Sequence, residues 1–215
     1  MQPLPFYFSK TTRDIMTNLL IGGDKNFLSC FHELLEEGFR IKCTVGVSIA
    51  SLLTEQYGLS LNYIEKQITT IFLNGKPVDN ITSSIIQSGA NLALSGAMPG
   101  LVGATLRTKS PLASLRETIT FHKNGMQPKK TKGFIRIKLF NVLIKKLGPL
   151  FLKKGIVVSS KRLQHFLLSR ESQFWKGCKN IIIDGTYMDT DNFRKKGFLA
   201  FKTSQIYLIV SLEEG

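Results

Sequence analysis

The sequence predicts an α+β protein of two tandem domains, residues 1–108 and 109–215, each a small mixed sheet crossed by one helix. Two stretches of the 215-residue chain, 34–80 and 151–192, match in the order charged pair, glycine, apolar strand, helix, apolar strand, tight turn. The turns fall at the same place in each copy, at Asn74-Gly75 and Asp184-Gly185, and these dipeptides accept the positive φ angles of two-residue hairpins. The length suits two small domains, and 43% hydrophobic with 20% charged residues describes a globular chain, excluding a collagen-like or wholly disordered one.

In the first copy, Phe6–Phe8 or Asn18–Ile21 supplies an opening strand, and Asn26–Glu37 reads as an extra helix. Beyond Gly38, Phe39-Arg-Ile-Lys-Cys-Thr-Val45 alternates apolar and polar, which predicts a strand with one buried and one wet face. Ser48 then caps a helix whose buried stripe is Ile49, Leu52, Leu53 and Tyr57, ended by Gly58. The strand at Ile71–Leu73 turns at Asn74-Gly75, and a further apolar strand follows at Asn91–Ser95. Gly100 and Gly103 let the chain turn toward a linker at Thr108–Leu115.

The second copy opens with the alternating strand Phe134–Phe140, which passes through Asn141–Pro149 into a strand around Ile156. Leu163, Phe166, Leu167 and Phe174 form the stripe of its helix, with Lys161, Arg162 and Arg170 outside it and His165 at its border. Ile181–Ile183 enters the Asp184-Gly185 turn, and Gln205–Ser211 supplies the closing strand.

The three cysteines, at 30, 43 and 178, form neither a disulfide framework nor a four-cysteine zinc site, which points to a reducing, cytoplasmic setting. The first residues lack the features of a secretory signal, and the uncharged stretch between Asp79 and Arg107 is too polar for a membrane span. Charge is uneven. Residues 1–106 carry 7 Lys/Arg against 8 Asp/Glu, and residues 107–215 carry 22 against 7. The second half is therefore expected to meet an acidic partner.

Ile71-Phe-Leu-Asn-Gly-Lys-Pro-Val-Asp79, Ser88-Gly-Ala-Asn-Leu-Ala-Leu94 and Met98-Pro-Gly100, with Ile181-Ile-Ile-Asp-Gly185 in the second copy, carry a resemblance. The order and residues resemble the β-grasp, or ubiquitin-like, fold, and within it the sulfur carriers: the small subunit of molybdopterin synthase and the thiamine sulfur carrier. The resemblance implies two tandem β-grasp domains and a non-enzymatic protein-interaction module without a cofactor. The implied partner is another protein, an acidic one or an adenylating enzyme. Gly215 would be the carrier terminus, and Pro99-Gly100 an internal carrier-like tail. A Gly-Gly tail threads a narrow channel because it has no Cβ atoms, whereas this chain ends Glu213-Glu214-Gly215.

Other motifs are incomplete. His32-Glu33-Leu34-Leu35-Glu36 lacks the second histidine of a zinc-protease helix, and Asp184, Asp189 and Asp191 lack the glycine and terminal glutamate of a calcium loop. Gly22-Gly23-Asp24-Lys25 is too short for a phosphate loop, and no nucleophile and base pair is recognisable, so neither metal nor catalysis is expected. The basic stretch remains. Lys123, Lys129, Lys130, Lys132, Arg136, Lys138, Lys145 and Lys146 run beside Phe134 and Phe140, a pattern suited to anion or single-stranded nucleic-acid contact.

Overall fold

The computed structural model describes residues 16–24, 26–97, 100–108, 111, 129–196 and 201–213. Among these residues, twelve strands and eight α-helices follow one another as β1 (Thr17–Gly23), α1 (His32–Glu36), β2 (Phe39–Val45), β3 (Val47–Ser48), α2 (Ile49–Ser51), α3 (Leu61–Gln67), β4 (Thr70–Leu73), β5 (Lys76–Pro77), β6 (Ile85–Ile86), β7 (Asn91–Ser95) and α4 (Gly100–Leu106), then β8 (Thr131–Phe140), α5 (Val142–Lys154), β9 (Ile156–Ser159), α6 (Ser160–Leu168), α7 (Ser172–Gly177), β10 (Cys178–Ile183), β11 (Thr186–Met188), α8 (Thr190–Lys196) and β12 (Gln205–Leu212). The α+β class is as expected, but ten strands form one mixed sheet in place of two small ones, in the order β11-β10-β1-β12-β9-β2-β8-β7-β4-β5.

The local elements follow the sequence closely. Both tight turns have two positive φ angles, 52° and 80° at Asn74-Gly75 and 48° and 85° at Asp184-Gly185, and each closes a two-residue hairpin. Ser48 Oγ accepts the Ser51 amide and Ser159 Oγ the Arg162 amide, so the helix after the second strand of each copy is capped alike. The first of these helices widens into a π-helical turn over Leu52–Gln56, and Phe174 sits on the separate helix α7. Residues 26–37 form a 3-10 turn, Phe27–Phe31, running into α1.

The long-range pairing departs from the tandem expectation. β1 does not open the first copy: it lies between β10 and β12, both from the second. β8 does not open the second copy, because it lies between β2 and β7 of the first. Each repeat thus gives its first strand to the other, across the expected boundary at 108/109. The central pairs β1/β12 and β7/β8 are parallel, and the two halves meet edge to edge where β2 and β9 share the single pair Arg40↔Val157.

A second correction concerns Asn141–Pro149, expected as a connection. It belongs to the 13-residue helix α5, with Pro149 inside it. An internal proline costs about 3 kcal/mol. Leu143, Leu147, Phe151 and Leu152 are fully buried along the helix, each at about 1.5–3 kcal/mol, which outweighs that cost. Phe151 packs 5.3 Å from Phe39 and 4.6 Å from Tyr57 between ring centroids. Gly148 lets α5 cross α1, since a Cβ there would stand 2.7 Å from Leu35 Cδ1.

One face of the sheet carries the core along its inner strands, while Thr186, Lys76 and Thr131, at strand ends on the same face, are exposed. Leu19, Ile181, Leu208, Ile156, Ile41, Ile135, Leu92 and Ile71 share that face by register, and they belong to one continuous core with the helices. Among the described residues, no helix is long and apolar enough to cross a membrane.

Candidate functional site

Alternation along β8 sends Ile135, Ile137 and Leu139 into the core and turns Lys132, Phe134, Arg136, Lys138 and Phe140 to the opposite face. Register brings Arg40 beside Arg136 and Lys42 beside Phe134 on that same face, while Ala93 of β7 lies beside Lys138. Lys42, Lys132, Arg136 and Lys138 are exposed, and Phe140 keeps 45% of its surface in solvent. The Arg40 guanidinium lies 4.7 Å from the centre of the Phe134 ring, a cation–π contact. Among the described residues, no strand carries an Asp or Glu. Among the described residues, the strands of this face thus hold cations and aromatic rings without a carboxylate to neutralise them.

The basic residues expected to act together are divided. Lys132, Arg136 and Lys138 share the open face, and exposed Lys129 and Lys130 lead into β8. Lys145 and Lys146 do not join them: they project from α5, which packs over the buried face, and Lys146 donates to Gln67 Oε1 at 2.6 Å. Lys123, Pro99 and Gly215 lie outside the described residues. Gly100 opens α4 with a φ of +78°, and the end of that segment is held by the Thr108 amide on the Thr69 carbonyl at 2.8 Å.

At the joint between the halves, strand pairing lapses and leaves a cavity of about 480 Å³. Arg40, Arg136 and Arg162 line it together with Ser88, Asn91 and Gln205, and among the described residues no carboxylate does. Arg162 reaches in from α6, donating to the Gly38 carbonyl at 2.8 Å and the Leu34 carbonyl at 2.6 Å, with Nε 3.3 Å from exposed Glu37. Burial lowers the Arg162 pKa, and Arg136 lowers it further against the opposing pull of Glu37. Arg136 donates to the Glu37 carbonyl at 2.8 Å, and Arg40 to Gln205 Oε1 at 3.0 Å. Among the described residues, neither Arg40 nor Arg136 has a carboxylate partner.

Arg40, Lys42, Arg162 and Gln205 are the site residues that sequence reasoning passed over. The alternation of 39–45 already placed Arg40 and Lys42 on a wet face, but they sit in the acidic half of the chain. Only the inserted strand β8 brings them to the basic cluster. Comparison with known proteins adds nothing to these residues: no family model, no curated protein and no solved structure matches the chain.

Proposed function

We propose that this chain is a non-enzymatic binding module, two ubiquitin-like β-grasp units fused edge to edge, each completed by a strand of the other repeat, whose open sheet face takes single-stranded nucleic acid. The architecture is supported by the strand order within each half. A hairpin lies at the outer edge, a parallel pair at the centre and the second strand at the joint, with a helix leading from that strand to the hairpin. The first hairpin of a β-grasp is replaced here by a helical connection, α5 in the case of β8 and β9.

The observation that carries the binding function is the face formed by β2 and β8. It offers Arg40, Lys42, Lys132, Arg136 and Lys138 to phosphates, and Phe134 and Phe140 to bases, with no carboxylate on either strand. Fluorescence anisotropy with a labelled single-stranded 12-mer tests this. Neutralising about four phosphates gives a slope of log affinity against log salt of about −3. Charge reversal at Arg136 or Lys138 is expected to weaken binding about tenfold, with little change in sequence preference. A salt-independent affinity, or variants that bind like the parent, would overturn the reading and leave an acidic protein segment as the partner of this face.

A further inference from the structure

The cavity at the joint differs from the open face in being concave and in gathering three guanidiniums from three elements. Arg40 comes from β2, Arg136 from β8 and Arg162 from α6. Each is oriented by a neutral acceptor: Arg40 by Gln205, Arg136 by the Glu37 carbonyl, and Arg162 by the carbonyls of Gly38 and Leu34. A guanidinium has five N–H donors, so each retains unused ones. Among the described residues, the carboxylate that pairs with these arginines is Glu37, which has 76% of its side chain exposed and does not line the cavity. Three positive charges against that single negative leave two unbalanced. Like charges held together repel, and a bound anion removes that cost.

We propose that this cavity binds a phosphate monoester, the dianion carried by the end of a nucleic-acid strand or by a free nucleoside monophosphate. A phosphate diester carries one charge and would balance only half the excess. Planar guanidiniums suit phosphate oxygens because they donate in bidentate pairs. Ser88 and Asn91 line the same wall and add neutral polar groups. A strand lying on the face would be anchored here by its terminus. The strand-terminal source rests on the nucleic-acid reading above, whereas the free-nucleotide source does not.

The test uses the full chain and five probes: a nucleoside 5′-monophosphate, the same nucleoside without phosphate, and a 12-mer that is unphosphorylated, 5′-phosphorylated or 3′-phosphorylated. Calorimetry is expected to show the monophosphate binding at least tenfold tighter than the nucleoside. The terminally phosphorylated strand should bind at least tenfold tighter than the unphosphorylated one. Arg40→Gln and Arg136→Gln should remove most of that difference, and Arg162→Lys, which keeps the charge but loses the fork, should reduce it. If phosphorylated and unphosphorylated strands bind equally and the monophosphate does not bind, the cavity proposal is wrong while the face reading stands. If the monophosphate binds and no strand does, the cavity holds a free nucleotide and the face reading fails. If no probe binds, both fail. Thermal melting of each variant reports whether it is folded. If neither glutamine variant folds, Arg162→Lys decides by the same ratio.

Discussion

Asp184 holds Asn18 across 166 residues of chain, its Oδ1 accepting the Asn18 amide at 2.8 Å while its own amide donates to the Asn18 carbonyl at 2.9 Å. Asn74 does the same to Asn91, only 17 residues away, at 2.8 Å in both directions. The two turns thus clasp equivalent strands, yet in one copy that strand is the last of its own repeat and in the other it is the first of the partner repeat. This pair of clasps identifies β1 as the counterpart of β7.

Removing the clasp should loosen β1. Asp184→Ala loses the side-chain acceptor and places a less suited residue at a φ of +48°, so a loss of about 1–2 kcal/mol is expected in urea unfolding. Asp184→Asn keeps the acceptor and tolerates the φ, so it should stay within about 0.5 kcal/mol of the parent. Equal losses in both variants would show that the negative charge, not the clasp, matters.

Strand exchange predicts that the halves depend on each other. Separately produced fragments 1–111 and 112–215 should each lack cooperative unfolding, and mixing them should restore it, since each lacks an inner strand of its sheet. Two fragments that melt cooperatively on their own would contradict this.

The crossing of α1 and α5 leaves no room at Gly148. Gly148→Ala brings a Cβ to 2.7 Å from Leu35 Cδ1, and overpacking of this kind costs about 1–3 kcal/mol, against about 1 kcal/mol gained in helix propensity. Chemical denaturation should show net destabilisation. An unchanged or raised midpoint would mean the helices separate freely.

His32 lies at the same crossing, with Nε2 buried and, among the described residues, without a hydrogen-bond partner. Its pKa is lowered, first by burial and then by Lys145, with Glu36 opposing. The folded state therefore binds fewer protons than the unfolded chain, whose histidine titrates near 6.5. The stability this histidine contributes is complete above pH 6.5 and falls as the pH drops below it. His32→Gln should flatten the slope of unfolding free energy between pH 7 and 5. An unaltered slope would assign the acid sensitivity elsewhere.

The buried thiols should be slow to react. Burial pushes Cys43 and Cys178 up to about 11, so about one molecule in a thousand is thiolate at pH 8. Cys30 is half-exposed. Peptide mapping after brief alkylation should find Cys30 modified first, and the other two only after denaturation. Rapid labelling of Cys43 would mean that β2 opens readily.

Much of the local structure was legible in the sequence because it depends on residues close in the chain. Asn74-Gly75 and Asp184-Gly185 need only their own backbone angles, Ser48 and Ser159 cap amides three residues on, and alternation along 39–45 and 134–140 fixes which side chains face water. On the strand-facing half of the candidate site, Arg136 and Lys138 came from the same alternation, and Lys132 from the basic run that precedes it. Two things were decided only by tertiary structure. Pro149 stays within α5 because burial of Leu143, Leu147, Phe151 and Leu152 overrides a local breaker. The choice of neighbour for β1 and β8, and with it the meeting of Arg40 with Arg136 and Arg162, depends on pairing between segments 45 to 189 residues apart. An apolar alternating strand satisfies its backbone beside many partners, and the partner chosen is the one whose register and covering helix close the core.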